Sequence, residues 1–148
     1  MILYADTSAL VKKYVKETGS EQVVTFFERY PIIGTTTLTQ AEMAETLSKA
    51  ARLGWVSEND AAEAWKDFLS HWLSYTRLPV SARIVERAAS LAWSYGLRAY
   101  DSLHLSSALT WQEVAGEEVI FACFDKNLTQ AAQREGLRSW PEDIFIVQ

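Results

Sequence analysis

The sequence predicts an α/β fold, a three-layer sandwich with a mainly parallel central sheet, on three observations. Two short apolar runs, Ile2-Leu3-Tyr4-Ala5 and Val119 to Phe124, carry the unbroken hydrophobicity of strands buried on both faces. The segments between candidate strands show helical spacing of apolar residues, so strand and helix alternate along the chain. Each apolar run also ends in an aspartate, Asp6 and Asp125, at the strand's carboxyl end. In open α/β sheets the crevice beyond those ends is where ligands bind.

Taken in order, the first strand runs into a turn at Asp6-Thr7-Ser8 and then a helix from Ala9 to Glu17, with Leu10, Val11, Tyr14 and Val15 on its apolar face. Gly19 ends it. A second helix spans Ser20 to Arg29, and Pro31 opens an extended segment, Ile32 to Thr36. Thr37 with Gln40, or Thr39 with Glu42, resembles a capping box for a third helix reaching Leu53, with Gly54 just past its end. Ser57 caps a fourth helix, whose Ala61, Trp65, Phe68, Leu69 and Trp72 follow the amphipathic rule. These aromatics face a core, and their abundance suggests an apolar patch on this or an adjacent helix for a twofold dimer. A short strand, Thr76 to Val80, leads to Ser81, a further cap, and a helix closed by Gly96. Asp101 stands in the first turn of the next helix, which Gly116 ends. After Asp125 comes a short helix with Leu128, Ala131 and Ala132, and the final predicted strand is Ile144 to Val147. No repeat, linker or low-complexity stretch interrupts residues 1–148, which are read as one domain, a size that buries roughly two thirds of the unfolded chain's surface.

Composition narrows the class. A hydrophobic share of 49% argues against disorder. No apolar run approaches the ~20 residues of a membrane helix, and the start shows no basic segment ahead of a long apolar one, so a cytoplasmic chain without membrane contact is expected. Cys123 is the single cysteine, which excludes an intrachain disulfide and a cysteine-rich zinc site; it is expected to be a small buried hydrophobe. The net charge of −5 is unusual for a nucleic-acid binder but suits carboxylates gathered around a divalent cation, or a basic partner. Glycine-rich phosphate loops are absent.

Four acidic residues stand out by position: Asp6 and Asp125 at strand ends, Asp101 at a helix start, Glu42 in a helix's first turns. Each alone has a plain structural role, as cap or dipole partner. All four on one rim of a sheet is another matter, because crowded carboxylates raise one another's pKa and cost stability. Oxygen ligands with no histidine or cysteine partner suit Mg²⁺ or Mn²⁺, which make water a better nucleophile and offset charge on a phosphoryl oxygen.

The blocks Asp6-Thr7-Ser8-Ala9-Leu10-Val11-Lys12, Thr39-Gln40-Ala41-Glu42, Leu97-Arg98-Ala99-Tyr100-Asp101-Ser102-Leu103-His104-Leu105 and Phe124-Asp125-Lys126-Asn127-Leu128 resemble, in order and spacing, the PIN-domain ribonucleases. Within them they look like the VapC-type toxins of toxin–antitoxin pairs. The resemblance covers nearly the whole chain. It implies a parallel sheet on which Asp6, Glu42, Asp101 and Asp125 converge as metal-binding catalytic residues, with Mg²⁺ or Mn²⁺ as cofactor. It further implies a metal-dependent endoribonuclease cleaving single-stranded RNA with metal-activated water, a homodimer, and a cognate VapB-type antitoxin. The alternative is a catalytically silent PIN module that only binds RNA or a protein. A haloacid-dehalogenase phosphatase would need an aspartate where this chain has Ser8. One departure is Cys123, where the family commonly has Thr or Ser; Thr7 or Ser8 is expected to supply the polar contact instead.

His104 lies three residues after Asp101, on the same helical face, and is read as orienting a neighbour or as a satisfied interior histidine rather than a ligand. His71 is read as structural or part of an interface. Arg98 and Lys126, with Lys12, Lys13 and Lys16, are the candidates for phosphate contacts near the rim, a solvated face being the plain alternative for the three lysines Lys12, Lys13 and Lys16.

Overall fold

In the computed structural model, which describes residues 1–143, twelve elements alternate as the sequence leads one to expect: β1 (Ile2–Ala5), α1 (Thr7–Tyr14), α2 (Ser20–Phe27), β2 (Ile32–Thr36), α3 (Thr39–Arg52), α4 (Glu58–Trp72), β3 (Thr76–Leu78), α5 (Ala82–Tyr95), α6 (Ala99–Ala115), β4 (Val119–Ala122), α7 (Lys126–Arg134) and β5 (Arg138–Trp140). The five strands form one sheet in the order β3-β2-β1-β4-β5, and every pairing is parallel. The order turns back at β1 and β4, which lie side by side in the middle with Leu3 opposite Ile120 and Tyr4 opposite Phe121. Their carboxyl ends open on the crevice where a doubly wound sheet takes its ligands.

Alternation along the central strands sorts the core into two layers. Leu3, Ala5, Ile120 and Ala122 face Leu10, Val23, Met43, Leu47, Phe68 and Trp72 from α1 to α4. Ile2, Tyr4, Val119, Phe121 and Cys123 face Leu91, Leu105, Ala108, Leu128 and Ala131 from α5 to α7. This is the three-layer sandwich, and both faces of β1 and β4 are fully covered, which explains their unbroken hydrophobicity. Gly34 on β2 stands beside Tyr4 because a side chain there would meet the Trp111 ring, 2.4 Å from where its Cβ would sit. Among the described residues no helix is long and apolar enough to cross a membrane.

Punctuation by serine and glycine holds for α4, α5 and α6, whereas Gly19, expected to end the first helix, is the left-handed N-cap of α2. The Ser57 and Ser81 hydroxyls accept from the Asp60 and Ile84 amides as N-caps, while Gly96 and Gly116 close α5 and α6 in the left-handed conformation. Four further expectations are corrected. α1 begins at Thr7 rather than Ala9 and ends at Tyr14, because the Asp6 carboxylate itself caps it and Val15 is already extended. α3 has no capping box: Leu38 is its N-cap without a side-chain bond, and the Thr39 hydroxyl pairs with Thr35 instead. β3 stops at Leu78, before Pro79. The strand β5 was not anticipated, while the predicted strand Ile144 to Val147 lies outside the described residues.

Nor do the α4 aromatics leave a surplus. Phe68 and Trp72 are buried and Trp65 is half-buried, T-shaped or tilted ring pairs linking Phe68 to Tyr14, Trp65 and Trp72. The large apolar side chains left outside include Leu73 at the end of α4, 78% exposed, Trp93 on α5, 92%, and Trp55 ahead of α4, 68%.

Candidate active site

Asp6 is the residue that follows β1, and its amide extends the ladder by donating to the Ala122 carbonyl. Its carboxylate is buried and strongly held. Oδ2 accepts from the Ser8 hydroxyl at 2.6 Å, from the Ser8 amide at 3.2 Å and from the Cys123 thiol at 3.6 Å. Asp125 follows β4 by the same logic and caps α7, accepting from the Leu128 amide at 2.9 Å. The Ser8 hydroxyl ties the two turns together by accepting from the Phe124 amide at 2.9 Å. Cys123 Sγ accepts from the Asp125 amide at 3.3 Å, so the buried cysteine does more than fill space. It occupies the hydroxyl position of the family pattern as a weak donor and acceptor, while Ser8 supplies the stronger bond, as expected.

Glu42 arrives from the other direction, in the first turn of α3, and Asp101 and His104 from the first turns of α6 on the opposite face of the sheet. Glu42 Oε1 accepts from the Thr7 hydroxyl at 2.9 Å and sits 2.6 Å from His104 Nε2. The same nitrogen lies 3.4 Å from Asp6 Oδ1. The His104 ring is wholly buried, and its Nδ1 meets the Tyr4 hydroxyl at 2.7 Å. Tyr4 thus belongs to the site although sequence reasoning passed over it. The signal was a phenol in mid-strand, which needs a polar partner when buried.

The electrostatics record the convergence. Burial raises the Asp101 carboxyl above the ordinary carboxylate range, and the charges of Asp6 and then Asp125 push it further, against the pull of Arg98 and His104. Burial also works against ionising Glu42, but the His104 hydrogen bond and charge, with Thr7, outweigh it and hold that carboxyl below its usual range. Burial disfavours a charged His104, yet Asp6 and then Glu42 raise its pKa. Tyr4 is pushed up by burial and by Asp6, so its hydroxyl keeps its proton. Two strand-end turns and two helix starts therefore place four carboxylates within one field, although among the described residues no three acidic, histidine or cysteine side chains close into a ready-made metal cage.

The basic candidates divide. Arg98 stands at the rim, its side chain 84% exposed and its Nε 3.5 Å from Asp101 Oδ2. Lys126 opens α7 beside Asp125. Lys12 is committed elsewhere, bonded to Glu17 and the Thr18 carbonyl and lying 4.7 Å over the Phe124 ring. Lys13 donates to the Tyr75 hydroxyl, which pairs with the Tyr14 hydroxyl, and His71 Nδ1 meets Tyr14 at 2.9 Å. That places Lys13 and His71 in a structural cluster between α1 and α4. A groove of about 810 Å³ lined by Tyr14, Trp55, Asp60, Glu63 and Asp67 lies apart from the four carboxylates; charge, not depth, marks the site.

Known proteins bear on this geometry in two ways. A solved structure of VapBC2 from Rickettsia felis, bound to a DNA fragment from their promoter, matches with a TM-score of 0.64 at 15% identity, covering 95% of this chain and 99% of that one. A toxin–antitoxin complex from Klebsiella pneumoniae matches with a TM-score of 0.53 at 17% identity, covering 81% and 84%. These likenesses show a shared fold. In sequence, the chain is 29% identical over 143 residues to Ribonuclease VapC49 of Mycobacterium tuberculosis (strain ATCC 25618 / H37Rv), covering 97% of each. The PIN domain family model matches residues 3–133, from the first strand through all four acidic positions into α7, and the chain belongs to the PIN domain family.

Proposed function

We propose that this chain is a metal-dependent endoribonuclease that hydrolyses single-stranded RNA, and that it is the toxin of a toxin–antitoxin pair. The observation that carries the reading is the gathering of Asp6, Glu42, Asp101 and Asp125 over the carboxyl ends of β1 and β4. Asp6 and Glu42 share one histidine nitrogen, and Asp101 feels the charges of Asp6 and Asp125. A donor set made only of carboxylate oxygens, in which burial and then the charges of Asp6 and Asp125 raise the Asp101 pKa, fits a hard divalent cation. Asp6, Asp101, Asp125 and Glu42 would hold Mg²⁺ or Mn²⁺. When bound, such an ion supplies a Lewis acid that lets water act as nucleophile near neutral pH and offsets charge developing on the phosphoryl oxygens.

The chain's own part is positioning. Ser8 and Cys123 fix the Asp6 carboxylate, and the Leu128 amide fixes Asp125. Glu42, kept ionised by His104 and Thr7, is the carboxylate placed to take a proton from the attacking water. The water oxygen bonds to phosphorus in line with the P–O3′ bond, that bond breaks with its electron pair going to the 3′ oxygen, which takes a proton from solvent water to become the hydroxyl, and Glu42 returns its own proton to solvent. Arg98 at the rim, with Lys126, meets the phosphates of the strand.

The ribonuclease name of the VapC49 relative supports activity on RNA, and the toxin–antitoxin neighbour supports an antitoxin as partner, here read as VapB-type, with a cytoplasmic location following from that reading. A silent binding module is disfavoured because none of the four carboxylates is replaced. End-group analysis of RNA fragments made with Mg²⁺ or Mn²⁺ is the test. The expected products carry 5′-phosphate and 3′-hydroxyl ends; 2′,3′-cyclic phosphates would refute attack by water.

A further inference from the structure

We infer that His104, backed by Tyr4, is the positioning residue that fixes Glu42 against Asp6 and so sets the shape of the acidic site. The four carboxylates are not equally anchored. Asp6 and Asp125 are clamped by backbone amides of the helices they cap. Asp101 extends from the first turn of α6 towards Arg98. Glu42 is the longest of the four side chains and is held at one oxygen only, by the Thr7 hydroxyl and by His104 Nε2, the latter at 2.6 Å. An unfastened glutamate on a helix samples several rotamers, so its placement over the strand ends depends on those two donors.

The ring is built to hold one orientation. Nε2 faces two ionised carboxylates, Glu42 at 2.6 Å and Asp6 at 3.4 Å, which only accept hydrogen bonds, so the hydrogen must sit on Nε2 whatever the ring's charge. Nδ1 is met by the Tyr4 hydroxyl at 2.7 Å, and the two rings are edge to face at 82°. Tyr4 in turn is wedged in β1, stacked on Phe121 and edge-on to Trp111. A rigid column therefore runs from the centre of the sheet through Tyr4 and His104 to Glu42. It spans β1, α6 and α3, and no solvent reaches the imidazole. The neighbours that orient ligating groups are typically worth 10–100-fold in affinity or activity.

This inference rests on the carboxylates' role as a metal site, and the test separates the two. In metal-free protein, ¹⁵N NMR of the His104 ring reads the geometry without any metal. The expected result is a proton on Nε2, shifted downfield, whose resonance moves in both Glu42→Gln and Tyr4→Phe; a bare Nε2 overturns the inference. Mn²⁺ affinity, measured by calorimetry, then reads the consequence. His104→Leu should weaken Mn²⁺ roughly 10–100-fold, His104→Gln, which restores an N–H donor, should stay within about threefold of wild type, and His104→Leu in the Glu42→Gln background should add less than about threefold. Equal losses with and without Glu42 would show a merely structural histidine. If His104→Leu does not fold, Tyr4→Phe carries the same cycle, with a loss of several-fold beside Glu42 and none in the Glu42→Gln background. A wild-type protein that binds no Mn²⁺ would overturn the metal-site reading, while the ring NMR would still decide the role of His104.

Discussion

Replacing Asp101 by asparagine separates a metal site from a chance meeting of helix caps, because the two accounts predict opposite signs. Asp101 is the third residue of α6, with 22% of its side chain exposed. Were it only a first-turn acid favouring the helix dipole, losing its charge would cost about 0.3–1 kcal/mol. The structure argues otherwise. Burial, Asp6 and Asp125 all work against its ionised form, and its Arg98 partner is 3.5 Å away on a largely exposed side chain. Relief of that repulsion, discounted for the partial exposure, should stabilise the metal-free variant by up to about 1 kcal/mol. With metal the order reverses. At tenfold excess over its dissociation constant a bound ion adds about 1.4 kcal/mol to the wild type, a melting shift of roughly 3–6 °C for a chain of this size. Asp101→Asn should keep less than about a third of it. Thermal melts of both proteins in chelator and in Mn²⁺ make the measurement. A variant that melts lower in chelator and keeps the full metal response would refute the reasoning.

Two other outcomes follow from the same coordinates. Because Asp6 and Glu42 overcome burial and raise the His104 pKa in the fold, its contribution to stability is complete below the unfolded value of about 6.5 and is lost as pH rises through the folded one; melts of metal-free wild type should decline above pH 6.5 more steeply than those of His104→Gln, and parallel curves would contradict this. Trp93, Leu73 and Trp55 are large apolar side chains left exposed; a homodimer that covers some of them is expected, and sedimentation at micromolar concentration showing only the 16.7 kDa monomer would rule it out.

Much of this was legible in the chain because its informative signals are local. Strands β1 and β4 are four-residue apolar strings buried on both faces, and Ser57, Ser81, Gly96 and Gly116 mark helix ends through bonds to residues within four positions. β5 escaped notice because Arg138-Ser139-Trp140 has neither length nor period, and its strand identity comes entirely from pairing with β4. The Thr39 pattern misled for a related reason: its hydroxyl found a tertiary partner in Thr35 better than the cap its spacing suggested. At the site, carboxylates at strand ends announce themselves by position. Of their supports Ser8 and His104 were readable too, but the Tyr4 and Cys123 bonds were not, since Tyr4 meets His104 across 100 residues and Cys123 meets Asp6 across 117.

That division has a physical cause. A parallel sheet collects strand ends on one rim, so acidic residues placed there by local sequence converge without further instruction. Convergence alone is repulsive, since beyond burial the charges of Asp6 and Asp125 push the Asp101 pKa up, and four like charges on flexible side chains would splay apart. Holding them together requires donors aimed inward from below the rim, where solvent cannot compete. Ser8, Thr7, Cys123 and the Tyr4–His104 column are those donors, and every one of them is fixed by packing within the sandwich rather than by its immediate neighbours alone. The exposed rim therefore carries the chemistry, and the buried layer beneath decides its geometry. Substitutions in that layer, even those that exchange one core residue for another of similar size, should change the site as surely as substitutions among the carboxylates themselves.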